Sequence, residues 1–383
     1  MAFPFRRTRR VPRANAGQRD GPRIGLPRAL LAYRYFPLWH RFLTELGCTV
    51  VASPATNKDI LAAGIRVTVD DVCIPLKAYV GHLLYLKEQG VDGIMVPRVF
   101  AIENSPKRRF TCPKFMGLPD LARAVLDGSP RLLDADLNVR ERPVADTFVE
   151  IGRMLERSKK ASLAAYGAAA EAQARFDAGR AGGCDFSRAV AAALGGNPGP
   201  AGRRTETSPP GTEDGEGAGV APATGPEAGS LAEATTLVIA TVGHPYLLSD
   251  RFLSFSLYER LERLGVRVVD AVSVQRDALE REAAKYAEIS WSYEREILGA
   301  VSHFMTRADV DGIVFLTSFA CGTFPVVSEI VEREVRRRAS KPVLYLIVDE
   351  MTGEAGIQTR LESFCDMLVD RELRTRGCRM AGG

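Results

Sequence analysis

Six short apolar runs punctuate the chain: Thr49–Ala52, Gly93–Val96, Leu237–Val242, Arg267–Val269, Gly312–Leu316 and Val343–Val348. Hydrophobicity that is continuous rather than alternating predicts strands buried on both faces. Amphipathic stretches separate them, at 28–46, 75–89, 117–127, 251–264, 276–307, 324–338 and 357–374, and these predict helices. Residues 145–180 are Ala-rich and helix-prone; they either pack between the two halves described below or extend the first. Strands alternating with helices predict the α/β class, with parallel sheets covered on both sides.

The pattern occurs twice. Ile24-Gly25-Leu26-Pro27, a helical stretch and Leu46-Gly47-Cys48-Thr49-Val50-Val51 open the first half. Leu237-Val238-Ile239-Ala240-Thr241-Val242-Gly243-His244-Pro245, a helical stretch and Leu264-Gly265-Val266-Arg267-Val268-Val269 open the second. Later, Val91-Asp92-Gly93-Ile94-Met95-Val96 matches Val310-Asp311-Gly312-Ile313-Val314-Phe315. Between the halves, residues 195–230 hold ten Gly and six Pro, too little apolar surface to offset ordering entropy. The expected organisation is a basic tail at 1–23, a Rossmann-like half at 24–194 with a helical extension, a flexible linker at 195–234, and a second Rossmann-like half at 235–383. The two doubly wound halves face each other across a cleft, and ligands belong at the carboxyl ends of their strands.

Charge changes this picture only at the N-terminus. The net charge of +4 comes from the first 23 residues, which hold seven Arg and one Asp and leave 44 basic against 46 acidic residues elsewhere. No nucleic-acid-binding motif follows that tail, so it predicts a solvated extension rather than a nucleic-acid surface. The N-terminal MAFPFRRTRRVPR lacks the apolar core of a secretory signal, and no stretch reaches the length of a membrane span. A cytoplasmic protein without a membrane anchor is expected.

Seven cysteines, at 48, 73, 112, 184, 321, 365 and 378, argue against a disulfide framework. Three of them fall at predicted element ends. Cys73 precedes Ile74-Pro75-Leu76-Lys77, with Pro75 in the first turn of a helix whose dipole favours thiolate. Cys112 lies in Phe110-Thr111-Cys112-Pro113-Lys114, and Cys321 follows the strand ending Leu316-Thr317-Ser318. Three thiols beside one cleft are a donor set that suits an iron–sulfur cluster; the plain alternative is three small buried hydrophobes. Cys48, Cys184, Cys365 and Cys378 read as structural. The acidic loop Asp349-Glu350-Met351-Thr352-Gly353-Glu354 offers Glu350 and Glu354 as catalytic carboxylates that orient substrate, transfer protons or neutralise Arg360; a capped, solvated turn is the alternative. Arg28, Lys77 and Lys114 lie near helix starts where an anion such as a CoA phosphate would bind, and His244 is a candidate proton donor.

Read together, Ile24-Gly25-Leu26-Pro27-Arg28-Ala29-Leu30, the Pro54-Ala55-Thr56-Asn57-Lys58 turn, Cys73-Ile74-Pro75-Leu76-Lys77 and Phe110-Thr111-Cys112-Pro113-Lys114 resemble the domain of 2-hydroxyacyl-CoA dehydratase activase-related proteins (DUF2229). Ser318-Phe319-Ala320-Cys321-Gly322 and Asp349-Glu350-Met351-Thr352-Gly353-Glu354-Ala355-Gly356 resemble the second half of that domain. The wider superfamily contains 2-hydroxyacyl-CoA dehydratase, benzoyl-CoA reductase and double-cubane cluster proteins. The resemblance implies a [4Fe–4S] cluster, or a double-cubane cluster, with Cys73, Cys112 and Cys321 as ligands. It implies an actin/Hsp70-type ATPase activase that drives low-potential electrons into the cluster, which then reduces or dehydrates a small or acyl-CoA substrate. The chain has no GxxxxGK[ST] motif, so ATP hydrolysis falls to a partner. A homo- or heterodimer is expected on the same grounds. A double-cubane reductase, a non-catalytic electron-carrier or docking module, and a cluster-free ligand-binding protein stand as alternatives.

Overall fold

Each predicted apolar run becomes a strand whose neighbours run parallel to it. The computed structural model describes residues 21–105, 109–196, 237–286, 289–338 and 341–380. The first half runs β1 (Arg23–Leu26), α1 (Ala32–Glu45), β2 (Thr49–Ala52), α2 (Lys58–Ile65), α3 (Ile74–Glu88), β3 (Gly93–Met95), β4 (Arg98–Ala101), α4 (Pro113–Met116), α5 (Leu118–Leu126), β5 (Arg131–Leu133), β6 (Asp136–Asn138), α6 (Val144–Met154), α7 (Lys159–Ala181) and α8 (Phe186–Ala193). The second runs β7 (Val238–Gly243), α9 (Pro245–Leu248), α10 (Leu257–Arg263), β8 (Arg267–Asp270), α11 (Arg276–Ala283), α12 (Ser292–Thr306), β9 (Gly312–Ser318), α13 (Phe324–Arg338), β10 (Val343–Val348) and α14 (Glu354–Met380).

The duplication read in the sequence is a duplication of topology. The sheets are ordered β2-β1-β3-β5 and β8-β7-β9-β10, and every pairing is parallel. Both therefore run second, first, third, fourth strand, which places a switch point between the first and third strands of each sheet. In the second sheet that switch point lies where β7 gives way to His244 and β9 to Phe319-Ala320-Cys321. A small parallel pair, β4 with β6, extends the first half.

Two large apolar clusters and a small one of Ala63, Val80 and Leu84, between α2 and α3, form the interior of the described residues. One large cluster covers one side of the second sheet, where Val301 and Phe304 of α12 and Val327 and Val331 of α13 pack on Val242 and Phe315. The other is continuous from Ile24 and Leu26 of β1 to Ile239, Leu316 and Leu361, so the two halves share one core. The Ala-rich α7 packs along α1, with Ala165, Ala169 and Ala172 buried and allowing close approach.

Local chemistry explains several helix starts. Asn57 caps α2 by accepting from the Ile60 amide at 3.0 Å, and Ser158 and Asp185 cap α7 and α8 in the same way. Three expectations need correction. The stretch 276–307 is two helices, not one, because Trp291 leaves the helical path to form a bridge with Phe110. The last predicted helix starts at Glu354 rather than 357. The helix expected over 251–264 forms only at Leu257–Arg263. The basic tail and the Gly/Pro-rich linker fall almost wholly outside the described residues. Among the described residues no helix is long and apolar enough to cross a membrane.

Candidate metal centre

Three of the residues that define the site are set by one local device. Cys73 caps α3 with an extended backbone, φ −65° and ψ 148°, ahead of Pro75. Cys112 caps α4 directly before Pro113, and His244 caps α9 directly before Pro245. Cys112 and His244, each followed directly by proline, are driven out of the helical region; at Cys73, where Ile74 intervenes, Pro75 acts only by suiting the first helical turn. The chain is thus held extended up to the functional side chain and helical immediately after it.

The Cys112 loop is clamped from both sides. The Phe110 amide donates to the Ser290 carbonyl at 2.7 Å and the Ser292 amide donates back to the Phe110 carbonyl at 2.9 Å. The Thr111 amide donates to the Phe100 carbonyl at 2.8 Å, and its hydroxyl donates to the Val99 carbonyl. A first-half segment is thereby fixed to the start of α12 in the second half. Lys114 adds a cross-half bond, its Nζ donating to the Ala320 carbonyl at 2.9 Å. Ala320 itself has φ +58°, a conformation costly for a residue with a Cβ, and this turn aims Cys321 back toward the first half.

The result is that Cys73, Cys112 and Cys321 come within electrostatic reach of one another. Burial pushes the Cys112 thiol up to about 12, the Lys114 amide opposes this, and Glu294, Cys321 and Cys73 push it further. Burial also raises Cys321, against a hydrogen bond from Thr323, with Glu294 and Cys73 adding to the rise. At Cys112 and Cys321 burial therefore outweighs any helix-end preference for thiolate. A bound metal cation would oppose this rise by supplying positive charge beside the thiols.

Glu294 of α12 completes the cluster and went unread in the sequence. It is 1% exposed. Its Oε1 accepts from His244 Nε2 at 3.2 Å and from the Thr323 hydroxyl, while its Oε2 is buried without a partner. Burial raises its pKa, but the hydrogen bond and charge of His244 and the bond from Thr323 outweigh this and hold it below the usual carboxylate range. Donor atoms of His244, Glu294 and Cys321 all lie within 4.8 Å of one another. Tyr246 stacks on His244 with ring centroids 4.9 Å apart, and burial together with the three cysteines and Glu294 raises its phenol well above its normal range. Three soft thiols and one carboxylate with an orphaned oxygen fit an iron–sulfur group or a thiolate-rich metal site in donor type.

The other candidates divide. Glu350 forms an ion pair with Lys77, itself 2% exposed, and Lys77 Nζ also donates to the Asp70 carbonyl at 3.1 Å. Glu350 thus ties the loop after β10 to the first turns of α3. Glu354 is 76% exposed and pairs with Arg260 at 2.6 Å, and Arg360 donates to the Tyr345 carbonyl at 3.0 Å rather than to the acidic loop. Arg28 reaches Ser187 at 3.4 Å and lies over the Phe186 ring. Cys48 and Cys365 are buried and Cys184 half-buried, and the six cysteines whose side chains are described are all free thiols. The Cys378 side chain lies outside the described residues.

A cavity of about 420 Å³ opens between α1, α7 and the ends of β7 and β8, lined by Tyr33, Arg34, Phe176, Arg276, Tyr293 and Glu296 among others. Arg34 pairs with Glu296 at 3.0 Å and Arg276 with the same carboxylate at 2.8 Å. Tyr293 forms part of this cavity wall and packs edge-on against Tyr246, 6.0 Å between centroids, and Tyr246 is in turn within electrostatic reach of the three thiols.

Comparison with known proteins gives two family matches along the chain. Residues 23–274 match the family described as CoA enzyme activase uncharacterised domain (DUF2229), and the chain belongs to that family. Residues 252–368, which hold Glu294 and Cys321, match a second family, 2-hydroxyglutaryl-CoA dehydratase, D-component. No curated protein matches. Four solved chains do. One, titled "Ca. Korarchaeum cryptofilum dinucleotide forming Acetyl-coenzyme A synthetase 1 (apo form)", is 14% identical, with 88% of this chain and 59% of that chain covered and a TM-score of 0.20. The present chain thus spans little more than half of that protein, and a likeness at this level carries no argument.

Proposed function

We propose that the chain is an iron–sulfur redox protein of the 2-hydroxyacyl-CoA dehydratase type, with Cys73, Cys112 and Cys321 as the cysteine ligands. The observation that carries the reading is the gathering of three thiols from three separate element ends, two in one half and one in the other. The dehydratase-component match over the segment that supplies Cys321 supports it. Bound there, a [4Fe–4S] cluster supplies one-electron transfer at low potential.

The protein's own residues do the rest. Burial and like charge raise the Cys112 and Cys321 thiols. Tyr246, Tyr293 and Phe115 pack edge-on against one another, with Tyr293 on the cavity wall and Tyr246 within electrostatic reach of the thiols. The cavity, with its aromatic wall and its Arg34 and Arg276 guanidiniums, receives a small acyl-type substrate. Phe319 and Met351, 64% and 85% exposed on the loops after β9 and β10, form an apolar rim where an ATP-hydrolysing activase docks.

Iron, acid-labile sulfide and the electron paramagnetic resonance spectrum of dithionite-reduced protein, all purified without oxygen, test this reading. About four iron and four sulfide per chain are expected for one cubane. Cys73→Ser, Cys112→Ser and Cys321→Ser should each lose most of the iron, while Cys48→Ser and Cys184→Ser should keep it. Equal behaviour of the two groups, or no iron after anaerobic reconstitution, would sink the assignment.

A further inference from the structure

We propose that Glu294 is the fourth protein ligand of the centre held by Cys73, Cys112 and Cys321, binding through its Oε2. The inference rests on the proposed function above and adds a ligand that the cysteine pattern does not contain.

The argument starts from an oxygen without a partner. Glu294 is buried on α12, and its two oxygens are treated differently: Oε1 accepts two hydrogen bonds, whereas Oε2 accepts none and is shielded from solvent. A buried carboxylate oxygen in that state is costly, and native structures rarely leave one so without an ion or ligand that answers it. The two bonds to Oε1 come from groups with little freedom. His244 is fixed by its place at the cap of α9 and by stacking on Tyr246, and Thr323 stands two residues after Cys321. Together they fix the rotation of the carboxylate and leave Oε2 as its open donor, the way outer hydrogen bonds orient a metal ligand.

Position agrees with this. Glu294 acts electrostatically on both Cys112 and Cys321, and its carboxylate is grouped with Cys321 Sγ within 4.8 Å. The bridge between Phe110 and Trp291 sets Glu294 three residues from the segment that carries Cys112. His244 is a poorer candidate for the same role, because its Nε2 is engaged with Glu294 Oε1. His244 and Thr323 are positioning residues, acting through the carboxylate. An oxygen donor beside three thiolates is the hard ligand in a soft set, and so the most readily exchanged of the four.

The test uses the full chain, loaded anaerobically, as wild type, Glu294→Gln and Glu294→Cys. The readouts are iron and sulfide content, the spectrum of the reduced protein, and a titration with cyanide, a small anion that binds an iron lacking a protein ligand. Glu294→Gln keeps the shape of the side chain but places an amide nitrogen or a neutral oxygen at the open position. It should shift the spectrum and lower the half-saturating cyanide concentration by about tenfold or more. Glu294→Cys supplies a firmer ligand and should raise that concentration above the wild-type value. Wild-type protein that holds about four iron, together with variants whose spectra and cyanide titrations match it, would overturn the assignment of Glu294 alone. Wild-type protein that takes up no iron would overturn the cluster reading and this inference with it.

Discussion

Buried polar side chains make single residues decisive here. Lys77 sits almost wholly out of water with Glu350 and the Asp70 carbonyl as its partners. Glu350→Gln leaves that ammonium with a single carbonyl for charge compensation and should lower stability by about 1–3 kcal/mol, measured by denaturant unfolding. Lys77→Met with Glu350→Gln should recover most of the loss. Glu354→Gln, on an exposed side chain, should leave unfolding unchanged within the error of the same measurement. His82 gives a pH signature. Burial, with a smaller push from Arg28, lowers its folded pKa to about 3, while the unfolded chain protonates it near 6.5. Its contribution is present above about pH 6.5 and is lost as pH falls, because the unfolded state takes up the proton first. The slope between pH 6 and 4 should be flatter in His82→Gln by up to about 1.4 kcal/mol per pH unit, read from unfolding curves at several pH values. Little of this was readable from residue type. The sequence marks Lys77 as a cation near a helix start, but not as a buried one, since its partner lies 273 positions away.

At the scale of elements, glycines set how closely the site-bearing helices approach. A Cβ on Gly64 would lie 1.8 Å from the Lys77 carbonyl oxygen, and one on Gly81 would lie 1.9 Å from the Ile60 carbonyl oxygen. Both contacts join α2 to α3, the helix that Cys73 caps. Gly64→Ala should therefore force the two helices apart, lower stability by about 1–3 kcal/mol and reduce iron retention, although residue 64 touches no thiol. Calorimetry and an iron assay on the same preparation check both effects. The element pattern itself was largely legible. The six apolar runs and most amphipathic stretches stand where the periodicity placed them, because burial on both faces or on one stripe leaves a direct imprint on sequence. The short elements α2, α4, α8 and β4 to β6 left too few periods to read. The break between α11 and α12 was invisible for another reason: a strand-like bridge to Phe110, remote in sequence, ends the helix.

The whole molecule behaves as one unit rather than two. The larger core runs through both halves, and Asp250 of the second accepts hydrogen bonds from Tyr33, at 2.9 Å, and from Thr56 of the first. Arg109 adds a bidentate pair with Glu280, at 2.6 and 2.9 Å. Heating should give a single cooperative transition with equal calorimetric and van't Hoff enthalpies, and two resolved transitions would contradict the shared core. Tyr33→Phe, which removes one bond to a buried carboxylate, should lower stability by about 1–2 kcal/mol without splitting the transition. The sequence by itself determined the α/β class, the repeat of one topology and the three thiols, because each is written in local pattern: continuous apolar runs, a recurring strand–helix order, and cysteines at the ends of elements. Only the tertiary structure decided that the halves share a core, that Glu350 answers Lys77 while Glu354 faces solvent, and that Glu294 stands among the thiols with one oxygen unanswered. Glu294 lies in a run of charges, Glu294-Arg295-Glu296, that any local rule assigns to a solvated face. What places it inside is the packing of α12 against loops from both halves, and no sequence period records a partner that the chain reaches only after folding.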